Sequence, residues 1–138
     1  VTQVPEWTAD YIGLPFREKG RDRDGLDCWG LVRLVLAEQF GVLLPSYADD
    51  YACTLEVSEN ARLISGRKGD WSEVPAGEER AGDVLLLRMA GHECHVGIVV
   101  APGIMLHIEA GHDAVWDRYH GLRWKNRVVG AYRWAAAR

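Results

Sequence analysis

Three cysteines in 138 residues, Cys28, Cys53 and Cys94, are too few and too loosely spaced for a disulfide framework. Their odd number leaves at least one thiol outside any disulfide. The chain has no apolar run near the roughly 18 residues of a membrane span, so none is expected. Positive charge is not in excess. A formal net charge of -4 and a pI near 5.7 remove the electrostatic footprint of a nucleic-acid binder. The opening VTQVPEWTAD lacks a basic stretch followed by an apolar one. No signal peptide is therefore expected, and with it no oxidising compartment to form a disulfide. Internal repeats and low-complexity segments are also missing.

What is present fits one domain over residues 1–138. Apolar residues make up 48% of the chain, enough for a real core at this length. Residues 4–12 suit a short helix with Pro5 near its first turn. The Gly-, Arg- and Asp-rich stretch that follows, to residue 27, reads as a solvated loop. Residues 28–40 are the clearest helix, with Leu31, Leu34, Val35 and Leu36 at helical spacing. Asp27 suits its N-cap and Gly41 its C-terminal stop. Residues 42–80 read as irregular, with a short helix near 55–65 and with Trp71 and Val74 on the core. From residue 82 the period changes. GDVLLLRM, CHVGIVVA, IMLHIEA, AVWDRY and RVVGAYRW read as five strands of a largely antiparallel sheet. Helices first and strands after is the α+β pattern.

Two readings of Cys28 stand side by side. It is either a buried core thiol or a nucleophile at a helix start, where the dipole raises the thiolate fraction. A thiol nucleophile needs a base, and the base needs an orienting group. His95 and His107 lie on consecutive strands joined at APG, residues 101–103. A three-residue turn would set Val100 opposite Ile104, Gly97 opposite His107 and His95 opposite Glu109. The two histidines would then be diagonal neighbours on one face, with Gly97 leaving room between them. A two-residue turn would put them on opposite faces, and a bulge would change the result again. Glu109 is a second candidate to orient His95. Cys94 points away from His95 and reads as core. Its other reading is a zinc ligand in HECH with His92, but such a site needs a fourth ligand and a wider frame. His112 and His120 read as surface residues, Cys53 as packing, and the six tryptophans as core and rim.

The segments YIGLPF (11–16), GLDCWGLVRLVL (25–36), GDVLLL (82–87), HVGIVV (95–100) and MLHIEA (105–110) together resemble the NlpC/P60 family of papain-like cysteine peptidases. The form DCWGLVR … GVLLPSY is most similar to the subgroup carried by tailed phages. The resemblance implies a papain-like fold, N-terminal helices on a sheet of about five strands. It implies Cys28 as nucleophile, His95 as general base and His107 as the group orienting His95, with no metal and no cofactor. The implied substrate is the peptidoglycan stem peptide, cut between D-γ-glutamate and a diamino acid. The implied partners are tail-tip or hub proteins of a phage-like particle. The implied location is a virion tail, made in the host cytoplasm and acting at the cell wall or periplasm. Two other functions remain open: a structural tail-tip subunit with a silent or masked site, and a thioester-forming acyltransferase. Two features depart from the family: Arg17 to Gly20 replace a tryptophan-glycine stretch often found there, and one site position differs. Phe16 in GLPF stands where a tyrosine hydroxyl often lines the site, with Tyr11 close by in sequence.

Overall fold

In the computed structural model, the structure describes residues 3–44, 71–89 and 92–134, with the backbone alone at 92–94. The expected helix near 55–65, Cys53 and the 135–138 tail lie outside the described residues. So do the side chains of His92 and Cys94. Among the described residues are a short 3-10 helix (Glu6–Asp10), one α-helix, α1 (Cys28–Phe40), and eight strands. Pro5 opens the 3-10 helix, as its fixed φ favours.

α1 begins and ends where the sequence indicates. The Asp27 carboxylate accepts from the Gly30 N–H at 2.8 Å. Gly41 turns the chain left-handed at φ 67°, and the Val42 N–H closes back on the Leu36 carbonyl. The stretch before α1 is more ordered than a solvated loop. It contains a two-stranded antiparallel ribbon, β1 (Arg21–Asp22) and β2 (Gly25–Leu26). Asp22, Arg23 and Asp24 are exposed, but Gly20, Gly25, Leu26 and Asp27 are buried. Within the ribbon, Arg21 turns inward to the helix cap while Asp22, Arg23 and Asp24 stay in water.

All five expected strands are present: β4 (Val84–Met89), β5 (His92–Ala101), β6 (Ile104–His107), β7 (Val115–Arg118) and β8 (Val128–Trp134). A sixth, β3 (Trp71–Val74), pairs with β8 from within the stretch read as irregular. Its Trp71 and Val74 are buried, as expected. The sheet order is β3-β8-β4-β5-β6-β7, antiparallel throughout. Four residues buried only at their two ends, far in sequence from their partner strand, gave too short a signal to be read as a strand.

Both faces of the sheet are covered. Val84, Leu86, Val96, Ile98 and Leu106 pack with α1. Leu85, Leu87, Val99 and Met105 pack with Tyr119 and Trp124 on the other face. The β5–β6 connection combines two of the alternatives raised above. Ala101 pairs with Ile104, so Pro102 and Gly103 form a two-residue turn, with Gly103 at φ 83°. That turn alone would separate the histidines. Val100 is an extra residue opposite no partner, and this bulge restores the register to Val99 with Met105 and Ile98 with Leu106. Gly97 therefore lies opposite His107, as the three-residue turn would also have placed it. Tyr119 holds the turn, since its hydroxyl accepts from the Gly103 N–H at 3.0 Å and donates to Glu79 Oε1 at 3.1 Å.

Gly30 marks the closest approach of ribbon and helix. A Cβ there would overlap the carbonyl oxygen of Gly20. An alanine in a helix interior normally gains about 1 kcal/mol over glycine. Gly30→Ala is expected instead to lose about 3 kcal/mol by overpacking, read as a lower urea midpoint with an unchanged slope.

Candidate active site

Cys28 is the first residue of α1 and 1% exposed. Two features shape its surroundings. The N-terminal end of α1 places partial positive charge beside the sulfur. The Asp27 carboxylate, one residue earlier, places negative charge there. Arg21 opposes that charge: its Nη1 lies 2.8 Å from Asp27 Oδ1, the same oxygen that accepts from Gly30. Arg21 also donates to the Gly20 carbonyl at 2.9 Å, tying the ribbon to the helix start.

His95 and His107 meet as the register dictates. His95 Nε2 and His107 Nδ1 are 2.8 Å apart, with both rings buried. Gly97 makes the contact possible, because a Cβ there would press on His107 Cβ at 3.3 Å and Met105 Sδ at 3.0 Å. The pair rises from the face of Leu85, Leu87 and Met105, whereas Cys28 packs in the cluster of α1. His95 is the last regular partner of β4 (opposite Leu87) before a bulge shifts the register to Arg88 with Glu93. Such a bulge bends the strand at the residue whose direction matters.

Glu109 does not orient His95; its Oε2 is bound to Arg123 Nη2 at 2.6 Å. His112 and His120 are exposed, as expected. Of HECH, the structure describes the side chain of His95 alone, and that ring is committed to His107. Tyr11 does not supply the hydroxyl missing at Phe16. It is buried at the far end of α1, donating to Glu38 Oε1 at 2.6 Å. Glu38 is ten residue steps along the helix from Cys28, roughly 15 Å. Phe16 is half-buried and bridges to Leu26 of the ribbon.

Two residues at the pair went unnoticed in the sequence. Asp117 of β7 has Oδ2 3.2 Å from His107 Nε2, and Trp124 Nε1 donates to that oxygen at 2.8 Å. The Trp124 ring stacks on His95 at 5.7 Å and 20°. It stands edge-on to His107 at 5.2 Å. Arg123 lies over the Trp124 ring at 4.6 Å. Seven residues of connection separate β6 from β7, so alternation within AVWDRY could not show which side chain reaches His107. A cavity of about 600 Å³ opens beside Asp117, between Trp116, Arg118, Leu122 and Arg123.

Burial pushes the His95 pKa down to about 3, helped by His107 and Arg123 nearby. Burial also lowers that of His107, against the opposing pull of Glu109 and Asp117. Both rings are therefore neutral near pH 7. A neutral imidazole that donates from Nε2 to His107 has Nδ1 as its free acceptor; one that accepts there carries its hydrogen on Nδ1.

Residues 13–133 match the NlpC/P60 family. The chain is 26% identical over 132 residues to the murein DD-endopeptidase MepS/murein LD-carboxypeptidase of Escherichia coli K12. That match covers 96% of this chain and 62% of the relative, so the chain spans less than two thirds of the curated protein it resembles. Among solved structures, the NlpC/p60 domain of the peptidoglycan hydrolase SagA superposes with a TM-score of 0.60 at 21% identity, covering 89% of each chain. An NlpC/P60 family protein from Bacillus cereus superposes with a TM-score of 0.67 at 18% identity, covering 96% of this chain and 41% of that one. At these identities the two structures establish a shared fold.

Two outcomes follow from the electrostatics. Arg21→Gln leaves the Asp27 charge facing Cys28 without its guanidinium. Alkylation of Cys28 by iodoacetamide at pH 7 should slow, and stability should fall by about 2 kcal/mol. The histidines make the fold acid-sensitive. Between the ordinary value of 6.5 and about 3, the unfolded chain binds a proton at His95 that the folded chain does not. Stability conferred by the neutral ring is whole above pH 6.5 and falls with pH below it. One such group accounts for ~2 kcal/mol between pH 7 and pH 5. Urea titrations at the two pH values should show the loss, and His95→Gln should shrink it.

Proposed function

The chain belongs to the NlpC/P60 family, and we propose that it hydrolyses amide bonds of peptidoglycan stem peptides through Cys28, His95 and His107. The observation that carries the proposal is the 2.8 Å contact between His95 Nε2 and His107 Nδ1. It commits Nε2 of His95 to an orienting partner, so Nδ1 is the nitrogen that serves as base in this proposal. The reaction requires the Cys28 thiol at the start of α1 to reach that nitrogen. His95 takes the thiol proton as Sγ attacks the amide carbonyl. The Cys28 backbone N–H, at the positive end of α1, supports the oxyanion. His95 then hands its proton to the departing amine, the C–N bond breaks and a thioester remains. Water attacks the thioester carbonyl and gives a proton to Nδ1; the C–S bond then breaks, the carboxylic acid leaves, and Nδ1 returns the proton to the sulfur. His107 holds the ring of His95 in orientation, as the third member of other triads does. The neutral state favoured by burial makes an uncharged imidazole the resting form of His95.

The proposed bond is the amide between D-γ-glutamate and a diamino acid such as meso-diaminopimelate. The Escherichia coli relative carries the names DD-endopeptidase and LD-carboxypeptidase, so the corresponding bonds are the competitors. The proposed setting is the tail tip of a phage or phage-like particle, beside its hub proteins, acting at the cell wall. The form DCWGLVR … GVLLPSY supports it. A second reading, a structural tail-tip subunit with a silent site, draws support from burial: Cys28 is 1% and His95 3% exposed.

Digestion of diaminopimelate-type peptidoglycan, with fragments identified by mass, tests the proposal. Fragments ending at γ-glutamate are expected, and Cys28→Ala should abolish them. His95→Ala should reduce the rate by roughly a thousandfold and His107→Ala by less. Equal release by the wild type and all three variants would overturn the assignment. Alkylation of Cys28 without release of any fragment would favour the silent subunit.

A further inference from the structure

We propose that Asp117 is a positioning residue that extends the His95–His107 pair into a three-membered relay and sets the tautomer of both rings. The inference rests on the reading of His95 as a base. Its starting point is that an ionised carboxylate only accepts hydrogen bonds, and an indole N–H only donates. Asp117 Oδ2 receives the Trp124 N–H at 2.8 Å and faces His107 Nε2 at 3.2 Å. A ring nitrogen facing that oxygen is favoured when it carries the hydrogen. His107 is neutral, so protonation at Nε2 leaves Nδ1 as a bare acceptor. That acceptor lies 2.8 Å from His95 Nε2, which must then be the donor. Neutral His95 with its hydrogen on Nε2 has its lone pair on Nδ1, the form that takes a proton from a thiol.

The opposite chain of tautomers is penalised at its outer end. With the hydrogen on His107 Nδ1, the Nε2 lone pair would face the carboxylate. His95 would then carry its hydrogen on Nδ1 and could not act as a base. One carboxylate thus selects the competent state two residues away. Trp124 links the parts mechanically, bonding Asp117 while stacking on His95 at 5.7 Å. The other charges facing this region are Arg123 and Glu109, bound to each other at 2.6 Å. Arg123 Nη1 is 4.0 Å from Asp117 Oδ2, and the Arg118 N–H reaches Oδ1 at 3.2 Å. Asp117 is 31% exposed on its side chain, so it meets solvent while the histidines do not. When His95 takes up a proton, its Nε2–H keeps donating to His107, and the charge faces a carboxylate through one ring.

The test uses the full chain labelled with 15N-histidine. Nitrogen shifts and two-bond couplings report which ring nitrogen carries the hydrogen, whether or not the protein cleaves anything. In the wild type, both rings should carry it on Nε2. Asp117→Asn retains an oxygen that accepts, so it should keep this pattern while losing the charge. Turnover, and Cys28 alkylation at pH 7, should then fall roughly 10- to 100-fold. Asp117→Ala should also shift the population on both rings toward Nδ1–H. Wild-type tautomers and an unchanged alkylation rate in both variants would overturn the relay. An inactive wild type with the expected tautomer pattern, lost in Asp117→Ala, would uphold the relay and count only against the peptidase reading.

Discussion

The register of the β5–β6 hairpin governs the candidate site. A two-residue turn at Pro102 and Gly103 and a bulge at Val100 each displace the pairing by one residue, and together they cancel. Either alone would send His95 and His107 to opposite faces of the sheet, because side chains alternate with a period of two. With both, the rings meet at 2.8 Å. The surroundings hold this register in place. Tyr119 bonds the Gly103 N–H from below the turn, and Gly97 vacates the position between the rings. Trp124 closes over both imidazoles. Burial of the pair then lowers the proton affinity of His95 and keeps its ring neutral.

A second constraint operates at the start of α1. In the motif Asp27-Cys28-Trp29-Gly30, the residues on either side of the candidate nucleophile and its tryptophan have mechanical reasons. Asp27 caps the helix through Gly30, and Arg21 balances the cap's charge. Gly30 has no side chain because the Gly20 carbonyl occupies that space. The ribbon before the helix is thus part of the architecture that presents Cys28. Its exposed charges made it look like a solvated loop, since Arg21 is indistinguishable by type from the arginines that do face water.

Asp117 shows how a site can extend past its recognisable residues. The carboxylate is supplied by the edge strand of the sheet, and the indole that shares it comes from the segment beyond. Neither residue carries a signal at short range. Their meeting depends on the long β6–β7 connection and on the fold of residues 119–127 back over the sheet. Tyr11 illustrates the reverse. Its nearness in sequence to Phe16 suggested a replacement hydroxyl, but the hydroxyl is spent on Glu38 at the other end of α1.

The sequence by itself determined what local chemistry controls. The span of α1 follows from its cap, its apolar spacing and Gly41. The five later strands follow from alternation and from the glycines and prolines between them. The α+β class and the family follow from the order of the motifs, and His95 and His107 stand out as the pair that adjacent strands could join. Only the tertiary structure decided where long-range pairing wins. β3 exists because β8 offers it an edge. The histidines share a face because a turn and a bulge compensate, which no pattern of residue types encodes. Asp117 and Trp124 reach His107 because the sheet's last strand and its covering segment converge there. Hydrogen bonds between distant strands are set by register and closure of the whole sheet, and a single sequence records only the residues that will make them.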